Sequence, residues 1–107
     1  MGAKLSFKSL TSRELQAHVQ ALAQDSGRVF YTQHALDRMV WRQVNDTEVL
    51  ECLRRGVIQR PAQWNPVSGD VKCRMEYFGS SRHLSVLVAL DDDDPDLLVV
   101  TVITNTR

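Results

Sequence analysis

The spacing of apolar residues changes once along the chain, near Val57: it is helical before that point and alternating after it. Thr11 and Glu14 stand three apart ahead of Leu15, Val19, Leu22 and Ala23, the pattern of a capping box that opens an amphipathic helix. Gly27 is expected to end that helix, at about residues 11–26, and Val29, Phe30 and Tyr31 form a short extended segment. Thr32 suits the N-cap of a second helix reaching about Arg42, with Ala35, Leu36, Met39 and Val40 as its core face. Asn45 and Glu48 repeat the capping box for a third helix. Val49, Leu50 and Leu53 are its inner face, Arg54 and Arg55 complement the C-terminal dipole, and Gly56 stops it.

Beyond Val57, the residues Val71, Cys73, Met75 and Tyr77 alternate with Lys72, Arg74 and Glu76, as in a strand with one face inward and one toward water. The runs "LSVLVAL" (84–90) and "LLVVTVIT" (97–104) are nearly continuous in apolar and β-branched residues, which marks central strands. "NPVSGD", "GSS" and "DDDDPD" supply turns short enough for antiparallel connections. The expected fold class is α+β: three helices followed by an antiparallel β-meander of about four strands, with the helices packed on one face. Met39, Leu53, Val86, Val88, Val100 and Val102 are the expected core, in a single domain over 1–107.

A formal net charge of zero nominates no polyanionic partner by itself, although ten arginines against three lysines favour bidentate contacts to carboxylate or phosphate. The acidic residues crowd into Asp91–Asp94 and Asp96, a run without the glycine and later glutamate of a calcium loop, so it reads as a solvated hairpin tip. Cys52 and Cys73 lack C-x-x-C spacing and read as free buried thiols of a reducing compartment. With no apolar run long enough for a membrane span, the expectation is a cytoplasmic protein with no membrane partner.

His18, His34 and His83 are too scattered for a metal motif, and His18 reads as a structural histidine of the first helix. No Gly-rich phosphate loop, G-x-S-x-G elbow or H-E-x-x-H motif occurs, and neither metal nor cofactor is expected. What stands out is "HALDRMVWR" (34–42), where His34, Arg38 and Arg42 follow at i, i+4 and i+8 with Trp41 on the flank. Such a stripe is a solvated face or a site. Cleavage of RNA through its own 2′-hydroxyl needs a proton acceptor, a proton donor and cations for the extra charge on phosphorus, and no metal. His34, Arg38, Arg42, Arg74 and His83 are the candidate catalytic residues for that chemistry, with Trp41, Tyr77 and Arg82 as candidate substrate contacts.

The stretch "YTQHALDRMVWRQVNDTEVLECLRRGVI" resembles the small bacterial domain-of-unknown-function family 4258, whose members show an H-x-x-x-R-M-x-x-R helix, a turn, a V-x-x-x-L-x-x-G helix and a meander ending in a V-T-V-like strand. His34, Arg38, Met39 and Arg42 match the first part, Val49, Leu53, Gly56 and Ile58 the second, and "VVTVIT" the last. The resemblance covers about residues 31–104, which leaves the first helix as an addition. Gln43 departs from the pattern, standing where the family commonly has glycine. In element order the family is similar to RelE-like and colicin-like ribonuclease toxins. That similarity implies RNA binding or metal-independent RNA cleavage of the toxin kind, with RNA and a protein such as an antitoxin as partners. The rival is a non-catalytic protein-binding or accessory module that uses the arginine stripe or the sheet surface. An RNA site expects His34, Arg38 and Arg74 in one concavity; a protein-binding module expects exposed apolar surface near Trp41 or Trp64.

Overall fold

A computed structural model describes residues 6–79 and 83–106. After a single 3-10 turn at Phe7–Ser9, helix α1 (Ser12–Ala23) begins at the expected capping box: Thr11 Oγ1 accepts from the Glu14 amide and the Glu14 carboxylate accepts from the Thr11 amide. That second contact holds the Glu14 carboxyl below its ordinary range. Strand β1 (Val29–Tyr31) leads into α2 (Gln33–Arg42) and α3 (Asp46–Arg55), the latter with a full capping box between Asn45 and Glu48. Strands β2 (Val57–Ile58), β3 (Gln63–Trp64), β4 (Asp70–Phe78), β5 (His83–Asp91) and β6 (Asp94–Thr106) follow.

The sheet has six strands and is mixed, in the order β1-β6-β5-β4-β2, with β3 also paired to β4. The expected four-stranded antiparallel meander is therefore too small: Val29–Tyr31 is a true strand, parallel to Leu98–Val100 of β6, and two short strands extend the other edge. Three residues suffice because β6 supplies partners for their backbone groups.

Alternation sorts β4 and β5 as expected. Val71, Cys73 and Met75 lie opposite Leu90, Val88 and Val86, and all six are buried in one core with Leu15, Val19, Leu22 and Ala23 of α1 and Val49, Leu50, Cys52 and Leu53 of α3. The first helix is thus part of the same core. Its polar residues also hold the unit together, since Gln20 Nε2 donates to the Gly56 carbonyl at 3.0 Å and Gln16 Oε1 accepts from the Ile58 amide at 2.9 Å. In the reverse direction, Arg54 Nε donates to the Ala23 carbonyl at 2.7 Å, satisfying an acceptor at the end of α1.

β6 breaks its own alternation. Leu87 lies opposite Val102 but Val88 opposite Val100, so Thr101 is an extra residue in a bulge, its hydroxyl donating to the Leu87 carbonyl at 3.0 Å. The inward positions become Leu98, Val100 and Ile103, and Val102, expected in the core, is only half-buried. Leu53, Val86, Val88 and Val100 are buried, whereas Met39 packs at the core's margin.

The aspartate run is more than a solvated tip. Asp92 accepts from the Phe7 amide at 2.8 Å, tying the N-terminal turn to the β5–β6 hairpin, and Asp96 pairs with Arg28 at 3.7 Å. His18 is satisfied structurally, its Nε2 lying 3.1 Å from the Pro95 carbonyl and its ring tilted against Phe7. Both thiols are free and buried; burial pushes Cys52 up to about 12 and Cys73 up to about 11.

Candidate recognition surface

The bulge in β6 also seats α2. Thr32 Oγ1 donates to the Thr101 carbonyl at 3.3 Å and accepts from the Ala35 amide at 3.1 Å, so one hydroxyl both caps the helix and fixes it to the bulge. At the other end Gln43 adopts the left-handed conformation (φ 55°, ψ 47°), and its amide and that of Val44 turn back onto the Met39–Val40 carbonyls. This is a conformation that glycine adopts at no steric cost and that a residue with a Cβ rarely takes. Tyr31 adds a tie to α3 by donating to the Asp46 carboxylate; burial first, and then this carboxylate, raise its phenol pKa.

Only Ala35 of α2 is fully buried, with Met39 half-buried beside it. Leu36 and Val40, expected to face the core, are 42% and 81% exposed, and Trp41 is 74% exposed. The helix touches β6 and β1 at the sheet's edge, where there is room beneath it for one small side chain and a thioether but not for a full apolar stripe. Of the polar stripe, His34 and Arg42 are exposed and Arg38 is half-buried between them. Arg38 and Arg42 place their guanidinium carbons 5.1 and 5.9 Å from the Trp41 ring centre, and Asp37 accepts from Gln33 at 2.9 Å. His34 is exposed one turn before Arg38.

The remaining candidates lie elsewhere. Arg74 sits between inward-facing Cys73 and Met75, so it points to the sheet face away from the helices, on the opposite side from the α2 stripe. The expected concavity shared by His34, Arg38 and Arg74 is not formed, because the two-residue period of the strand assigns Arg74 to the outer face. His83 is also outward, its Nε2 2.9 Å from Oε1 of Glu76 and its ring stacked on Phe78 at 4.1 Å. Tyr77 is half-buried against the core, and Arg82 lies outside the described residues.

Reading by residue type overlooked two features of this outer face. Glu76, only 5% exposed, is paired across strands with His83; the register of β4 on β5, with Phe78 opposite His83, is what brings them together. Lys72 and Arg74 are joined by Arg60 from the segment between β2 and β3 around a cavity of about 220 Å³. The i, i+2 spacing of Lys72 and Arg74 was visible in the sequence; the arrival of Arg60 was not. Among the described residues no group of three or more His, Cys, Asp or Glu side chains is placed to hold a metal ion, and no helix is long and apolar enough to cross a membrane.

Helices α1 and α3 packed together over a mixed sheet, with an arginine and tryptophan helix left open at the sheet's edge, define a small α+β domain. The chain belongs to the family described as Domain of unknown function (DUF4258), which it matches over residues 31–104. No curated protein and no solved structure matches it. The matched span contains α2, α3 and nearly all of the sheet, while α1, outside it, supplies four buried side chains to the same core.

Proposed function

We propose that the protein is a non-catalytic binding module whose exposed α2 face receives an acidic, amphipathic segment of a protein partner. The observation that carries this reading is the composition of the open face: Leu36, Val40 and Trp41 exposed on the helix that also carries Arg38 and Arg42 against the indole. An exposed helix of three large apolar residues and two arginines has the makeup of a protein interface core, where aromatic and arginine side chains dominate binding energy. An acidic segment would set carboxylates on Arg38 and Arg42, and its apolar side chains would cover Leu36, Val40 and the indole.

RNA cleavage of the toxin kind is less well supported, since a proton donor and acceptor have to meet the same phosphate and His34 and His83 lie on opposite sides of the sheet. RNA binding without cleavage would draw on the arginines and the indole but has no use for Leu36 and Val40.

The test is a titration of labelled protein, followed by amide chemical shifts. One probe is a synthetic peptide with leucines at helical spacing and glutamates between them; the others are a scrambled peptide of the same composition and oligouridylate. The expected result is that the patterned peptide shifts residues 34–42 and binds about tenfold tighter than the scrambled one, in keeping with the loss of one well-packed anchor. Preferential binding of oligouridylate at these residues would overturn the reading in favour of RNA.

A further inference from the structure

On the sheet face opposite α2, and independently of the reading given to that helix, we infer that the cavity bounded by Arg60, Lys72 and Arg74 is a binding site for the phosphate group of a small organic phosphate monoester. Lys72 and Arg74 project from the same face of β4, Gln63 lies opposite Lys72 in β3, and Leu87 of β5, opposite Arg74, forms part of the wall. Arg60 closes the third side. Among the described residues, none of the three cations has an ion pair or a side-chain hydrogen bond. Neither carboxylate nearest along the strand pairs with these cations: Glu76 holds His83 at 2.9 Å, and Asp70, on the side of the adjoining hollow, accepts from the Ser68 hydroxyl at 2.5 Å. Three like charges around one cavity repel one another, and an anion seated among them removes that repulsion while gaining charge-assisted hydrogen bonds.

Size and surroundings narrow the class. At about 220 Å³ the cavity is smaller than the roughly 300–1,000 Å³ of pockets for drug-sized ligands, so it suits an anionic head group rather than a whole ligand. Lys72 is shared with an adjoining hollow of about 300 Å³ walled by Ala89, Leu97 and Val99, which offers apolar surface to an organic body. Asp70, Asp91 and Asp94 stand on that hollow and repel a second phosphate, which disfavours a polyphosphate or a nucleic-acid strand running across the face. An anionic head with a compact uncharged body fits both parts.

Inorganic phosphate, phenyl phosphate and oligouridylate, each titrated into the full chain at low salt and followed by amide shifts, test the inference. Phenyl phosphate should bind about fivefold or more tighter than inorganic phosphate, because only it reaches the apolar hollow, with shifts centred on Lys72, Arg74 and Leu87. Arg74→Gln and, separately, the exposed Arg60→Gln should each weaken it about tenfold, whereas Arg38→Gln on the far face should leave it unchanged. Keeping two variants guards against one that fails to fold. The inference is overturned if none of the three probes shifts these residues, if phenyl and inorganic phosphate bind alike, if neither variant weakens binding, or if oligouridylate binds this face most tightly.

Discussion

Replacing Gly56 by alanine separates two explanations of why glycine ends α3, because they predict opposite signs. If glycine only stopped the helix, alanine would be tolerated: φ at Gly56 is −72° and ψ 173°, a conformation open to any residue, and loss of glycine's unfolded-state freedom would stabilise the protein by about 0.4–1 kcal/mol. The structure gives another reason. A Cβ at this position would lie 2.3 Å from the Cys52 carbonyl oxygen and 2.9 Å from that of Glu76, both backbone atoms. Relief requires the end of α3 to move by about 1 Å from β4, which strains the 2.7 Å hydrogen bond from the Gly56 amide to Cys52 and disturbs packing beside the buried Cys52. Overpacking of this kind costs about 1–3 kcal/mol and a compromised buried hydrogen bond a further 1–3 kcal/mol, so the expected loss is about 2–6 kcal/mol. Urea denaturation followed by circular dichroism measures it, and the midpoint of thermal unfolding should fall by more than about 10 °C. An alanine variant as stable as the wild type, or more so, would refute the close approach of α3 to β4.

Gln43→Gly should stabilise the protein by about 0.5–1 kcal/mol, since relief of left-handed strain exceeds the entropy glycine adds to the unfolded chain; a loss of stability on denaturation would show that the Gln43 side chain contributes more than its backbone costs. Leu53→Ala should cost about 2–5 kcal/mol and Met39→Ala only about 1 kcal/mol, as Leu53 is fully buried and Met39 marginal; equal losses in urea would place α2 deeper in the core than described. The thiols carry a pH dependence. Both are raised in the folded protein above the ordinary value of 9.0, so their protonated forms favour the fold below about pH 9, and stability declines as pH rises from there toward about 11 for Cys73 and 12 for Cys52. A thiol reagent at pH 8 should modify native protein only as fast as it opens; immediate reaction would contradict the burial of both cysteines.

Local chemistry was legible where it acts over three or four residues. Thr11 with Glu14, and Asn45 with Glu48, announced two helix starts that the structure forms atom for atom, and alternation assigned Val71, Cys73 and Met75 to the core. What escaped the sequence depended on partners far along the chain. Val29–Tyr31 became a strand through a parallel edge that only β6 supplies, and the bulge at Thr101 moved inward burial from Val102 to Ile103. Periodicity gave α2 an apolar face in Leu36 and Val40, but whether such a face is covered depends on how much sheet lies under the helix, and α2 sits at the edge. For the same reason the α2 stripe was legible as a set of residues, while its separation from Arg74 required the register and the faces of the sheet.

The central claim, that apolar surface on α2 together with its arginines receives a protein segment, is tested most directly by the paired substitution Leu36→Gln and Val40→Gln. It removes the exposed apolar surface and leaves every charge in place. Both side chains are exposed, so folding stability should change by less than about 1 kcal/mol. Affinity for the patterned acidic peptide, measured by calorimetry, should fall by about tenfold or more, while any binding of oligouridylate through Arg38, Arg42 and Trp41 should be unaltered. Peptide affinity equal to that of the wild type would contradict the account and leave the helix with a purely electrostatic role.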